Sequence, residues 1–222
     1  MAGGLGGWGG LPPRTCRRRR LLGGILGWMG SRYESVVLDA IPRGCGRAVD
    51  VGCGNGGLTR ELRRRGVPEV VGIDLSEACI ERCRAHPDGA GIKYVVGDVL
   101  GGALEPGSFD LVSSMASLHH MDTRAGLVGL RDLVAPGGVL AVVGLARPDL
   151  PKDIPREVAA AIVSRVRPVP GMSEDMPRPP IVWPPPERYA TVRRLAAEVL
   201  PGVRWRRHLR FRYSLVWTKP AP

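Results

Sequence analysis

Hydrophobic positions recur along this chain in two alternating rhythms, one helical and one extended, and the alternation predicts an α/β fold. Tyr33, Val36, Val37, Ala40 and Ile41 fall at helical spacing up to Pro42, after which Arg47 to Val51 reads as a strand running into glycines. Leu58 and Leu62 then mark the apolar side of a helix whose Arg63 to Arg65 face water. Glu69 to Ile73 is a second strand, Ser76 caps a helix carrying Ala78, Cys79, Ile80 and Cys83, and Ile92 to Val96 is a third strand. Phe109 to Ser113 follows the Pro106-Gly107 turn as a fourth strand. Asp122 or Thr123 can cap the helix Arg124 to Val134, with Leu127, Leu130 and Leu133 inward, and Pro136-Gly137-Gly138 is expected to end it. Val139 to Val143 is a nearly unbroken apolar run of the kind buried on both faces. Five strands alternating with helices imply a parallel sheet with right-handed crossovers.

The rhythm changes at residue 147. Prolines recur to Pro184-Pro185-Pro186, enclosing a predicted helix Arg156 to Val166 and a surface crossing tied down by Ile181, Val182 and Trp183. Glu187 to Leu200 returns to helix, apolar at Tyr189, Val192, Leu195, Ala196 and Val199. Alternation at Val203, Trp205, Leu209, Phe211, Tyr213, Leu215 and Trp217 then predicts strands, broken at Arg207 by a turn or bulge. Residues 1–30 are glycine-rich without periodicity, so they read as a flexible basic leader before a single domain over 31–218.

Composition narrows the function classes. The 222 residues, 44% hydrophobic, suit one core, and Leu21 to Gly30 and Val139 to Ala146 fall far short of the roughly 20 apolar residues that span a bilayer as helix. No membrane association is expected. The basic start lacks a small-residue cleavage site after its glycine-diluted apolar part. The net charge of +11 would ordinarily suggest nucleic acid. It is almost all arginine, however, dispersed over leader, first loop-helix and C-terminal strands, and it accompanies abundant Gly, Ala and Pro, the usage of a G- and C-rich gene. The arginine face Arg204, Arg206, Arg210 and Arg212 therefore reads as solvated. Cys16, Cys45, Cys53, Cys79 and Cys83 form no CxxC pair or spaced metal set, which fits reduced thiols in the cytoplasm, with Cys79 and Cys83 as small core residues.

The chemistry gathers at the carboxyl ends of the first three strands. Asp50 ends the first, Gly52 permits a tight turn, Gly54 and Gly56 let a ligand approach the backbone, and Gly57 opens a helix. Asp74 at the end of the second strand can accept both hydroxyls of a ribose. Asp98, after the third, can accept from an adenine amino group while the Val99 N–H addresses a ring nitrogen. Each acid alone could be a turn cap, but three on consecutive strands face the crevice where such sheets bind ligands, which points to an adenosine-containing molecule. Asp50 beside the glycines would repel a pyrophosphate and suits a cationic amino-acid tail; the Walker Gly-Lys-Ser/Thr ending is absent from the glycine motif.

Ala48-Val-Asp-Val-Gly-Cys-Gly-Asn-Gly-Gly57, Val71-Gly-Ile-Asp-Leu-Ser76, Gly97-Asp-Val99, Phe109-Asp-Leu-Val112, Leu118-His-His120 and Leu133-Val-Ala-Pro-Gly-Gly-Val-Leu140 together resemble the ordered signatures of class I S-adenosylmethionine-dependent methyltransferases, most closely the small type 11 domains. The resemblance implies a doubly wound seven-stranded Rossmann-like sheet, order 3-2-1-4-5-7-6 with strand 7 antiparallel, whose last two strands fall near Val203 to His208 and Arg212 to Thr218. It further implies S-adenosylmethionine as cofactor, with Asp50, Gly52, Cys53, Gly54 and Gly56 at its methionine portion, Asp74 and Leu75 at the ribose, and Asp98 with Val99 at the adenine. His119 and His120 flank the acceptor cleft in some members and are the candidate catalytic residues here, His120 ahead of His119. A packed or capping histidine is the competing reading. Trp183, Tyr189 and Met172 to Trp183 are a candidate lid within 147–186. A His119, His120, Asp122 metal site lacks a fourth ligand, and none is expected. The expected acceptor is a small molecule, methylated on O, N or C by a monomer or homodimer. RNA or protein acceptors stay open, as does a non-catalytic relative that keeps the fold as an RNA- or protein-binding module.

Overall fold

The computed structural model describes residues 29–149, 151, 153, 155, 182–208 and 211–221. Its elements run α1 (Met29–Leu38), β1 (Arg47–Val51), α2 (Gly57–Arg64), β2 (Glu69–Asp74), α3 (Glu77–Ala85), β3 (Ile92–Val96), β4 (Phe109–Met115), α4 (Thr123–Leu133), β5 (Val134–Leu145), α5 (Tyr189–Val199), β6 (Arg204–Arg207) and β7 (Arg212–Thr218). The seven strands form one sheet in the order β3-β2-β1-β4-β5-β7-β6. Strands β1 to β5 are mutually parallel, and β7 runs antiparallel between β5 and β6.

Alternate residues of the central strands feed two separate cores, as the pleat requires. Val49, Val71, Val112 and Leu140 pack with Leu127 and Leu130 of α4 and with Val192 and Ala196 of α5. On the other face Ala48, Val70, Leu111 and Ala141 pack with Val37 of α1, Leu62 of α2 and Ile80 of α3. The reversal of strand order between β1 and β4 opens a crevice at their carboxyl ends, the position at which such sheets take ligands.

Several element boundaries differ from the sequence expectation. Helix α1 stops at Leu38, before Ala40 and Ile41, and starts at Met29, two residues ahead of the expected domain start at 31; residues 1–28 of the expected leader lie outside the described residues. Helix α4 ends at Leu133, and Pro136-Gly137-Gly138 belongs to β5 rather than to a helix stop. Val134 already pairs with Phe109, and pairing resumes at Leu111 with Val139, so the Pro-Gly-Gly segment is a bulge. A bulge suits it: proline lacks the ladder N–H, Gly137 is left-handed at φ 76°, and a Cβ on Gly138 would lie 3.0 Å from three carbonyl oxygens. Asp122 is the cap of α4, accepting from the Ala125 N–H at 2.8 Å.

The turn or bulge expected at Arg207 lies beyond it: Arg207 still pairs with Tyr213, and the connection from β6 to β7 falls partly at residues 209–210, outside the described residues. The foreseen helix Arg156 to Val166, Ile181 and most of the candidate lid also lie outside them. Of that crossing, Val182 is exposed and Trp183 sets its ring edge-on to Phe211 at 5.0 Å. Tyr189 is no lid residue: it is buried in the first turn of α5, where its hydroxyl donates to the Arg212 carbonyl at 3.4 Å. Arg212 likewise leaves the solvated face assigned to it. Arg204 and Arg206 on the edge strand are exposed, whereas Arg212 on the inner strand β7 is buried, its guanidinium 5.1 Å from the centre of the Tyr33 ring.

Candidate functional site

The glycine loop is shaped by two contacts with β2. The N–H groups of Gly52 and Cys53 both donate to the Ile73 carbonyl, at 2.8 and 3.1 Å, folding the chain over the end of that strand. Gly52, Gly54 and Gly56 all have positive φ, the left-handed region that favours glycine. Their surroundings differ. A Cβ on Gly52 would meet Ser117 Oγ at 2.1 Å, and one on Gly56 would meet Tyr94 Oη and Cys83 Sγ at 2.8 and 2.9 Å. A Cβ on Gly54 would meet nothing within 4 Å, so the loop is open at its middle. Its carbonyls are bonded by side chains of α2 and α3: Cys83 donates to Gly54, Arg60 to Asn55 and Thr59 to Gly56.

Three carboxylates stand at the carboxyl ends of β1, β2 and β3. Asp50 is almost wholly buried and accepts from Ser113 Oγ of β4 at 2.8 Å, the residue opposite it in the strand register. Burial pushes its carboxyl up to about 7, Ser113 opposes that, and the neighbouring charges of Asp74 and Glu34 add to it. Asp74 accepts from the Gly54 N–H at 2.8 Å and the Ser76 N–H at 2.9 Å. It thus joins the loop to the start of α3, and about two of a carboxylate's four acceptor positions remain for a ligand. Asp98 is exposed after β3 and accepts from the Leu100 N–H at 2.9 Å, capping a one-turn helix that starts at Val99. Leu75 and Leu100 beside these acids are 72% and 43% exposed.

His119 and His120 follow β4 in another single turn, with ring centres 4.1 Å apart. Their surroundings are unlike. His119 is buried with Nδ1 lacking a hydrogen-bond partner, and burial, His120 and Arg212 pull its pKa down to about 4. His120 is exposed; partial desolvation lowers its pKa, and the nearby Asp74 carboxylate works against that. The field therefore links His120 with Asp74 and His119 with Arg212. The turn carrying them starts from Ala116, a non-glycine residue at φ 53° whose N–H donates to the Val143 carbonyl at 2.7 Å. Strained backbone of this kind persists only where its surroundings fix it.

The crevice thus holds the predicted Asp50, glycine loop, Asp74, Asp98 and paired histidines along neighbouring strand ends. Sequence reasoning missed Ser113, Ser117 and Glu34. Ser113 had a signal, a hydroxyl in a central apolar strand, whereas Ser117 and Glu34 meet the loop only through tertiary packing. Among the described residues no group of three or more His, Cys, Asp or Glu could hold a metal ion. No helix among them is long and apolar enough to cross a membrane.

Comparison with known proteins agrees with this geometry. The profile of a methyltransferase domain family matches residues 48–138. An uncharacterized methyltransferase of Mycobacterium tuberculosis is 35% identical over 199 residues, 87% of this chain and 98% of that protein. A ubiquinone biosynthesis O-methyltransferase of Ralstonia nicotianae is 41% identical over 96 residues, 41% of this chain and 40% of that protein. Among solved structures, the cyclase SpnF has a TM-score of 0.61 at 15% identity, covering 86% of this chain and 82% of its own. At that identity the likeness shows the fold alone. From the strand order, the ordered motifs and a relative matched over nearly its whole length, the chain belongs to the class I S-adenosylmethionine-dependent methyltransferases.

Proposed function

We propose that this methyltransferase carries the methyl group of S-adenosylmethionine to an O, N or C atom of a small-molecule acceptor in the cytoplasm. The observation that carries the cofactor assignment is the set of three carboxylates, Asp50, Asp74 and Asp98, at the carboxyl ends of β1, β2 and β3, beside a glycine loop open at Gly54. In this reading Asp50, with Gly52, Cys53, Gly54 and Gly56, holds the cationic methionine portion, Asp74 and Leu75 hold the ribose, and Asp98 and Val99 hold the adenine. The negative field summed from Asp50, Asp74 and Glu34 suits a ligand with an ammonium and a sulfonium and disfavours a dinucleotide.

When bound, the cofactor supplies an electrophilic methyl carbon, so the chain's own task is to orient the acceptor and exclude water. His120 is the residue assigned to proton removal, because it is exposed at the crevice and its lowered pKa leaves it neutral, hence able to accept, at pH 7. His119, enclosed and held neutral, is assigned to positioning. The small-molecule acceptor is supported by the partial likeness to a ubiquinone biosynthesis O-methyltransferase and a tocopherol O-methyltransferase. Free thiols at Cys45, Cys53, Cys79 and Cys83 support a reducing compartment.

The second reading is a non-catalytic RNA- or protein-binding module on the same fold. Radiolabelled methyl transfer over panels of small molecules, proteins and RNA separates the two. Incorporation into a small molecule is the expected result; cofactor binding without incorporation in any panel favours the module.

A further inference from the structure

Cys53 and Cys83 are distant in sequence, one in the glycine loop and the other in the last turn of α3, yet their sulfurs converge on a single oxygen. Cys83 Sγ donates to the Gly54 carbonyl at 3.2 Å, and Cys53 Sγ approaches the same oxygen at 4.0 Å. Each thiol also bears on the other's ionisation. Arg60 completes the cluster: the point where a Cβ on Gly56 would stand is 2.9 Å from Cys83 Sγ and 3.0 Å from Arg60 Nη1. The neighbouring Cys53 thiol and the Arg60 guanidinium favour the thiolate at Cys83, whose pKa is lowered, whereas Cys53 is pushed up and keeps its proton. This is the arrangement of an attacking sulfur beside a resolving one, and methyl transfer calls on the thiol chemistry of neither.

We infer that Cys53 and Cys83 form an oxidation site that closes to a disulfide under a peroxide and weakens cofactor binding. In the first step the Cys83 thiolate attacks the O–O bond, forming a sulfenic acid and, after protonation, one water. In the second, the Cys53 sulfur attacks Cys83, its proton leaving with the displaced hydroxide as a second water. The sulfur pair loses two electrons and the peroxide gains them. Cys83 has no exposed surface, so the oxidant reaches it when the glycine loop lifts, and a ligand holding the loop should slow the reaction. The bond removes the S–H donor from the Gly54 carbonyl and draws Cys53 away from β2, where its sulfur lies 3.0 Å from the Cβ position of Gly72. Gly54 moves with it, and with Gly54 the N–H bonded to Asp74.

The consequence rests on the loop being the cofactor site, and the experiment keeps the two questions apart. The full chain, reduced and then treated with hydrogen peroxide, is alkylated and mapped by peptide mass, while S-adenosylhomocysteine affinity is titrated before and after. The expected result is a peptide joining Cys53 to Cys83 with two hydrogens lost. Affinity should be weaker by roughly tenfold or more, restored by dithiothreitol, and excess S-adenosylhomocysteine should slow the crosslinking. Cys83→Ser keeps a donor to Gly54, forms no crosslink and holds its affinity through peroxide, and Cys79→Ser behaves as wild type. Absence of the crosslink, or oxidation that joins other cysteines instead, overturns the oxidation site, and a crosslinked protein of unchanged affinity overturns its effect on binding. A reduced protein that binds no S-adenosylhomocysteine overturns the cofactor reading instead, while the mass readout still judges the disulfide.

Discussion

Asp74 and Asp50 differ in what their carboxylates already do, and their variants should differ accordingly. Asp74 serves the Gly54 and Ser76 N–H groups as well as any ribose, so Asp74→Ala should weaken S-adenosylmethionine binding by about 1.5–3 kcal/mol, the scale of hydrogen bonds to a charged group. Asp98→Ala, at an exposed cap, should cost less; equal affinities for Asp74→Ala and wild type in the same titration would remove the ribose assignment. Asp50 is a buried acid with a raised pKa, so the folded state keeps its proton after the unfolded chain has lost it. Its contribution to stability is present below the ordinary carboxylate pKa of 3.8 and is lost as pH rises through about 7. Asp50→Asn should therefore raise the melting temperature of the ligand-free protein at pH 8 and weaken the cofactor. Wild-type affinity should rise from pH 6 to 8 as the carboxylate forms to meet the ammonium. His120→Ala should lower turnover at least about tenfold with little change in cofactor affinity, since general-base assistance is typically worth ~10²–10⁴ in rate. A loss shared by cofactor binding would move His120 into the cofactor shell.

At the scale of the element, the loop between β1 and α2 separates stability from binding in two neighbouring glycines. Gly52 is crossed by Ser117 from the β4 turn, with Oγ 2.1 Å from the Cβ position, and its φ is positive. Gly52→Ala should cost about 2 kcal/mol or more of stability through strain and the displaced turn. Gly54→Ala introduces a Cβ into open space, so the protein should remain folded, losing only about 1 kcal/mol for its left-handed backbone, while cofactor affinity collapses. Thermal melts and titrations of both variants test this. A Gly54→Ala protein with wild-type affinity would show that no ligand approaches the loop there. The β5 bulge is a second lesson at this scale: proline and two glycines look like a helix stop in one dimension, and the pairing of Val134 with Phe109 makes them part of a strand.

Across the whole molecule, acid stability reports how far the fold encloses His119. His119 is held neutral with its pKa near 4, so its neutral form contributes stability that is present above 6.5 and lost as pH falls through about 4. That contribution is on the order of 2–3 kcal/mol. Asp50 acts with the opposite sign over an overlapping range, so neither group is read from the wild-type curve alone. Comparing denaturant midpoints of His119→Gln and wild type at pH 7 and pH 4.5 isolates the histidine. The variant should lose less stability between the two; parallel losses would show that His119 is not enclosed in solution.

The sequence by itself determined the order of strands and helices, the glycine loop and the three acids, because these are local: period, cap and turn are written in residues a few positions apart. Strand ends place Asp50, Asp74 and Asp98 on one edge of any parallel sheet, so their convergence was legible without coordinates. Tertiary structure alone decided what no local pattern encodes. Arg204 and Arg212 sit in the same alternating run, yet one faces water on an edge strand and the other is buried on an inner one. Adjacent histidines received opposite environments, Tyr189 entered the core, and Cys83 met Cys53 under the loop. Burial and contact between distant segments are properties of the packed sheet, and they set pKa and reactivity where residue type fixes only the possibilities.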